Sequence, residues 1–167
     1  MAHNLTKDSY FHELVERYSD TVLRLAITYL KNLSDAEDVC QNVYIKLYRQ
    51  GLNFEDRNHE KAWVIRVTIN ECKDLLKSNW KRLFVPMNEI EVPIEDEESK
   101  EIVSFVLTLP IKYRRVIYLY YYESYSTSEI SELLNKKDAT IRTQLSRARE
   151  ILKNKFIGGI GNEEFIR

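Results

Sequence analysis

Glycine is almost missing from the body of this chain. The four glycines are Gly51, Gly158, Gly159 and Gly161, so none lies between Leu52 and Ile157, and the prolines are only Pro86, Pro93 and Pro110. A sheet protein places Gly and Pro at its turns, so their scarcity excludes a strand-rich fold and leaves an all-α chain. Cysteine is scarce too. Cys40 and Cys72 lie far apart inside apolar-periodic segments, where a small buried hydrophobe is the expected role. Two such residues exclude a disulfide scaffold, and His3, His12 and His59 form no ligand spacing with them, so no metal site is expected. The chain has no Gly-rich phosphate loop and no nucleophile–base pair, so neither enzymatic activity nor a cofactor is expected. No apolar run approaches bilayer-spanning length, and the N-terminal MAHNLTKDSY lacks the apolar centre of a signal peptide. These absences point to a cytoplasmic protein with no membrane insertion.

An excess of one charge is absent as well, since the net charge is −1. The placement of charge carries more information than the sum. Residues 61–82 hold six Lys/Arg against two acids, and residues 136–155 hold seven against two. Between them, residues 89–101 hold seven acids against one Lys. Two basic modules therefore flank an acidic connector. With 44% hydrophobic and 31% charged residues, a length of 167 is enough for one medium domain or two small helical ones.

Most informative is the stretch from Glu123 to Leu152, which reads as two helices around a tight polar turn. Ser126-Thr127-Ser128-Glu129 has the capping-box pattern, in which hydroxyl and carboxylate each take the other's backbone N–H. Ile130, Leu133 and Leu134 follow at helical spacing. Asn135-Lys136-Lys137 breaks the period, Asn being a residue that tolerates the left-handed backbone of a helix end, and Asp138 restarts it. In the second helix Ile141, Leu145, Ala148 and Leu152 share one side, while Arg142, Thr143, Ser146, Arg147 and Lys153 share the other, with Arg149 at its margin. Forked guanidiniums beside short hydroxyls suit a major groove. An ordinary amphipathic hairpin with a solvated basic face has the same pattern, and the hairpin alone does not separate the two.

Upstream, Ser9 to Lys31 follows a helix period through Phe11, Leu14, Val15, Tyr18, Val22, Leu25, Ala26 and Tyr29. Ser34-Asp35-Ala36-Glu37 predicts a second capping box opening a helix over 35–50, with a buried set including Ala36, Val39, Cys40, Val43, Ile45 and Leu47. Leu52 to Glu60 reads as a polar loop in which Phe54 is either a local plug or a platform for a stacked base. A long helix over 61–82 follows. It has apolar positions at Trp63, Val64, Val67, Ile69, Cys72, Leu75 and Leu76, and a mostly basic face including Arg66, Asn70, Lys73, Lys77 and Arg82. Residues 83–98 are expected to be an extended acidic linker. The next helix is expected from Ser99 or Lys100, then another over Ile111 to Tyr122, with Pro110 at its start and Val116, Ile117 and Leu119 in the core. Tyr118 and Tyr122 are expected in the core with wet hydroxyls, and residues 158–167 as a fraying tail.

Taken together, residues 35–49 (DAEDVCQNVYIKLYR), 62–82 (AWVIRVTINECKDLLKSNWKR) and 109–152 (the segment from LPIKYRRVIYLYYY to SRAREIL) resemble the extracytoplasmic-function sigma factors of bacterial RNA polymerase, within the sigma-70 family. The likeness covers roughly residues 8 to 155, with the motifs in the family's order. It implies an N-terminal region 2 domain over 1–82 and a C-terminal region 4 domain over 99–157, the latter a winged-helix-like, four-helix fold containing the helix-turn-helix. It also implies partners: core RNA polymerase, promoter DNA as single strand at −10 and duplex at −35, and an anti-sigma factor.

Carried across by resemblance, Asp38, Gln41, Asn42, Lys46 and Arg49 would face the polymerase clamp. Phe54, Arg57, Asn70, Lys73, Lys77 and Arg82 would hold the −10 strand, with Asn70 at a position the family uses on a flipped base. Arg142, Thr143, Ser146 and Arg147 would read the −35 element, flanked by Lys136, Lys137 and Arg149. The sequence departs from the family pattern at Asn42, where an acid is common, at Lys136, where an apolar residue is usual, and at Tyr120, where some members carry Arg. The competing reading is a free-standing helix-turn-helix regulator on a palindromic operator, which leaves the N-terminal basic helix without a task.

Overall fold

The computed structural model describes residues 2–51, 53–78 and 97–160. Among them are seven α-helices and no strand: α1 Ala2–Leu30, α2 Leu33–Arg49, α3 Arg57–Ser78, α4 Glu97–Leu107, α5 Ile111–Ile117, α6 Thr127–Leu134 and α7 Asp138–Ile160. A π-helical turn, Tyr118–Tyr122, extends α5. The chain divides into two compact units, Met1–Glu91 and Val92–Arg167. Most of the acidic connector (83–96), Arg82 and residues 161–167 lie outside the described residues.

In the first unit α1 packs against both α2 and α3. Leu14, Tyr18, Val22, Leu25, Ala26 and Tyr29 recur every three or four positions and are buried, which makes α1 the central element. Lys31, with φ 53°, closes α1 in the left-handed region, and Asn32 opens α2 at once. The cap is the Asn32 side chain, which accepts from the Asp35 N–H at 2.9 Å. The predicted Ser34 box is therefore displaced. The reversal at Lys31 is complete by Asn32, so the break expected over Asn32-Leu33-Ser34 does not form and the first side chain able to reach a free amide takes it.

Ile45 is also corrected. It is 48% exposed, whereas Ala36, Val39, Cys40, Val43 and Leu47 are buried. Lying two residues from both Val43 and Leu47, it is rotated about 200° from the buried stripe.

Helix α3 begins four residues before the predicted start. Asp56 accepts the His59 N–H on Oδ1 at 2.8 Å and the Glu60 N–H on its carbonyl at 3.0 Å, so the polar loop contains the cap. Its buried side includes Ile65 and Thr68 besides Val64, Ile69 and Cys72. The Thr68 hydroxyl is satisfied by donating to the Val64 carbonyl at 2.7 Å.

The second unit is built from α4–α7 around Val106, Leu109, Val116, Leu119, Ile130, Ile141, Leu145 and Ala148. Helix α4 starts at Glu97, ahead of the expected Ser99, because acids suit the positive end of a helix. Tyr118 is buried and Tyr122 is exposed. The two rings stack at 5.6 Å with Tyr122 outside, so only Tyr118 belongs to the core. Helix α7 runs through Gly158 to Ile160, past the predicted start of a loose tail. Glycine weakens a helix by about 1 kcal/mol per residue without ending it.

Candidate nucleic-acid interface

The helix-turn-helix of the second unit forms as its local chemistry dictates. The Glu129 N–H donates to Ser126 Oγ at 3.1 Å and the Ser126 N–H donates to Glu129 Oε2 at 2.8 Å, completing the capping box of α6. Asn135 ends α6 at φ 51°, ψ 50°, the left-handed cap position Asn tolerates. Helix α7 restarts three residues later at Asp138. Ile141, Leu145 and Ala148 anchor α7 to the core, leaving Arg142, Thr143, Ser146 and Arg147 exposed on its outer face, with Lys136 and Lys137 exposed in the turn.

These side chains are not equally available. Arg142 Nε pairs with Asp138 Oδ2 at 2.9 Å, the arginine being exposed and the aspartate half-buried. The Thr143 hydroxyl donates to the Ala139 carbonyl at 2.9 Å, so it meets a ligand as an acceptor. Arg149 is fastened at the margin. Its Nε donates to the Tyr121 hydroxyl at 2.7 Å, and its guanidinium lies 5.3 and 5.5 Å from the Tyr120 and Tyr121 ring centroids. That hydrogen bond pushes its pKa up. Ser146 and Arg147 make no such contact among the described residues, so Arg147 is the unencumbered guanidinium of the helix.

In the first unit, Asn70 and Lys77 are exposed on α3 and Lys73 is half-buried. With exposed Arg66 they recur at i, i+4, i+7 and i+11, so one side of α3 carries all four. Arg57 is not brought to that side. It stands in the first turn of α3, thirteen residues before Asn70 and so about 140° around the helix from it at about 100° per residue, and its charge acts on Tyr10 of α1. Phe54 is half-buried against Trp63 and His59, with centroids 5.7 and 5.5 Å away. It plugs the start of α3.

On α2, Asp38, Gln41, Asn42, Lys46 and Arg49 are all exposed. Lys46 is the one already engaged, in an ion pair with Glu71 of α3. Ile45 and Tyr48 are exposed on the same helix. Tyr48 is braced by the edge of Phe11 at 5.2 Å and by the Lys7 ammonium 4.9 Å from its centroid. Three residues apart, Ile45 and Tyr48 are neighbours on the helix surface and form a small exposed apolar patch among polar residues. The sequence signal was available, since Ile45 falls off the buried period.

Residues 14–82 match the family model for Sigma-70 region 2, and residues 99–152 match that for Sigma-70, region 4. The chain belongs to the sigma-70 family, in its extracytoplasmic-function branch. This sigma-70 member is 26% identical over 160 residues to the ECF RNA polymerase sigma factor SigM of Bacillus subtilis, covering 90% of the chain and 98% of that protein. It is 29% identical over 154 residues to ECF sigma factor SigE of Mycolicibacterium smegmatis, covering 85% of the chain and 60% of that protein. Among solved structures, its fold is similar to that of RpoE from Bartonella quintana, determined with the anti-sigma factor NepR. The TM-score is 0.73 at 19% identity, with 86% of this chain and 94% of that one covered. CnrH, determined with the cytosolic domain of CnrY, gives a TM-score of 0.66 at 21% identity, over 91% and 90% of the two chains. In the terms of the family, α2 and α3 fall in region 2 and the helix-turn-helix of α6 and α7 in region 4.

Proposed function

We propose that the chain is a promoter-specificity subunit: it binds core RNA polymerase and directs initiation at promoters with −10 and −35 elements. The observation that carries this is the presence, in one chain and in order, of a region 2 match and a region 4 match. Region 4 holds the outward basic face of α7, which suits a −35 duplex. Region 2 carries Asn70, Lys73 and Lys77 on one side of α3, which suits a displaced −10 strand: hydrogen bonds hold a flipped base while ammoniums hold phosphates. The outer face of α2, with Asp38, Gln41, Asn42, Arg49 and the exposed Ile45, is the surface assigned to the polymerase. Lys46 serves the α2–α3 junction before it serves a partner. The polymerase supplies the bond-forming chemistry, and the chain contributes binding and strand capture without a catalytic group or cofactor of its own. Such a protein works in the cytoplasm, under the control of an anti-sigma protein. A free-standing regulator is disfavoured, because nothing in it uses region 2.

Arg147→Ala tests the −35 assignment. Promoter-directed transcription is expected to fall about five-fold or more, since a good base contact is worth about 1–3 kcal/mol, while binding to core polymerase is unchanged. Full transcription by the variant at its own promoter would remove Arg147 from the reading helix.

A further inference from the structure

A cleft of about 330 Å3 opens between the start of α5 and the side of α7. Its walls are Lys112 and Tyr113 from α5 and Thr140, Thr143, Gln144 and Arg147 from α7, with no carboxylate among the lining residues. Neither cation is neutralised. Lys112 lies over the Tyr113 ring, 5.0 Å from its centroid, and Arg147 has no acidic partner among the described residues. The Gln144 Oε1 is buried with no hydrogen-bond partner among the described residues, which is a costly state for a polar group.

We propose that this cleft seats a backbone phosphate of the −35 duplex, and that Lys112, outside the helix-turn-helix, is a DNA-contacting residue. The inference rests on the assignment of α7 to the major groove. A helix about 10–12 Å across fills a groove about 12 Å wide, so whatever flanks the helix on its own protein meets the phosphate walls. Lys112 is the flanking cation on the α5 side, sharing its cleft with Thr143 and Arg147 of the reading face. A lysine ammonium is a compact charge without a fork, so it contributes affinity and register and leaves base choice to α7.

The test compares the full chain, in complex with core polymerase, as wild type, Lys112→Ala and Lys112→Arg. Duplex binding is measured against salt concentration, on a promoter fragment and on unrelated duplex. Loss of one phosphate contact is expected to reduce the slope of log K against log salt by about 0.9. Between about 50 and about 200 mM salt, wild type should then lose roughly three-fold more affinity than Lys112→Ala. Base preference should be unchanged, and Lys112→Arg should restore the slope. An Ala variant with the wild-type slope, or a lost slope that Arg does not restore, overturns the proposal. A wild type without promoter preference sinks the functional reading instead. The slope comparison on unrelated duplex still decides the role of Lys112, because phosphate contacts do not depend on sequence.

Discussion

Three donors converge on the carboxylate of Glu60, which is only 3% exposed. Arg17 Nη1 lies 2.6 Å from Oε1 and the Tyr18 hydroxyl 2.8 Å from the same oxygen, while the Tyr10 hydroxyl donates to Oε2. Burial alone would push this carboxyl up, but the hydrogen bonds from Tyr10, Tyr18 and Arg17 outweigh it and hold the pKa below its ordinary 4.5. Burial, reinforced by the carboxylate, moves Tyr10 up to about 12. A carboxyl lowered in the folded state binds fewer protons there than when unfolded. Its stabilisation is therefore present above pH 4.5 and lost as pH falls through the lowered value. Glu60→Gln is expected to destabilise the N-terminal unit by roughly 3 kcal/mol, the scale for removing one partner of a buried charge pair, and to flatten the acid limb of its stability curve. Urea unfolding at neutral and acid pH measures both. A variant as stable as wild type would show that the cluster is incidental.

At the scale of elements, the caps fix where functional side chains point. Asn32 caps α2 two residues after α1 ends and so sets which α2 residues face outward. Asn32→Ala is expected to cost about 1 kcal/mol, the usual value for a lost N-cap, while Ser34→Ala, two residues on, should cost almost nothing. Thermal unfolding of the two variants separates them, and equal losses would contradict the assignment. The Ser126–Glu129 box and the Asn135 cap were legible in the sequence because both partners sit at fixed local spacing. The same rule gave a false box at Ser34, where a left-handed Lys31 decides the start of the helix and no residue pattern announces it. The Asp56 cap was hidden for a similar reason, since an acid in a polar loop looks like solvated surface. Tertiary pairing was harder still. The Lys46–Glu71 and Glu60–Tyr18 contacts join residues 25 and 42 positions apart, and no local period encodes them. The outer face of α7 was legible in full, whereas the bracing of Arg149 by Tyr120 and Tyr121 depends on how the π-helical turn is placed.

At the scale of the whole molecule, each unit has its own core, and each carries a basic face on one long helix: α3 in the first, α7 in the second. A net charge of −1 hides this arrangement, because acids in residues 89–101 offset the cations of both. Single-stranded and duplex DNA ask for different surfaces, and the two faces differ in composition: an amide, two ammoniums and one guanidinium on α3, guanidiniums and hydroxyls on α7. Run-off transcription with purified core polymerase on genomic fragments, with and without the chain, is the most direct measurement. Discrete transcripts from specific start sites only when the chain is added are the expected result. Core polymerase that neither binds the chain nor gains a start site from it would contradict the central claim.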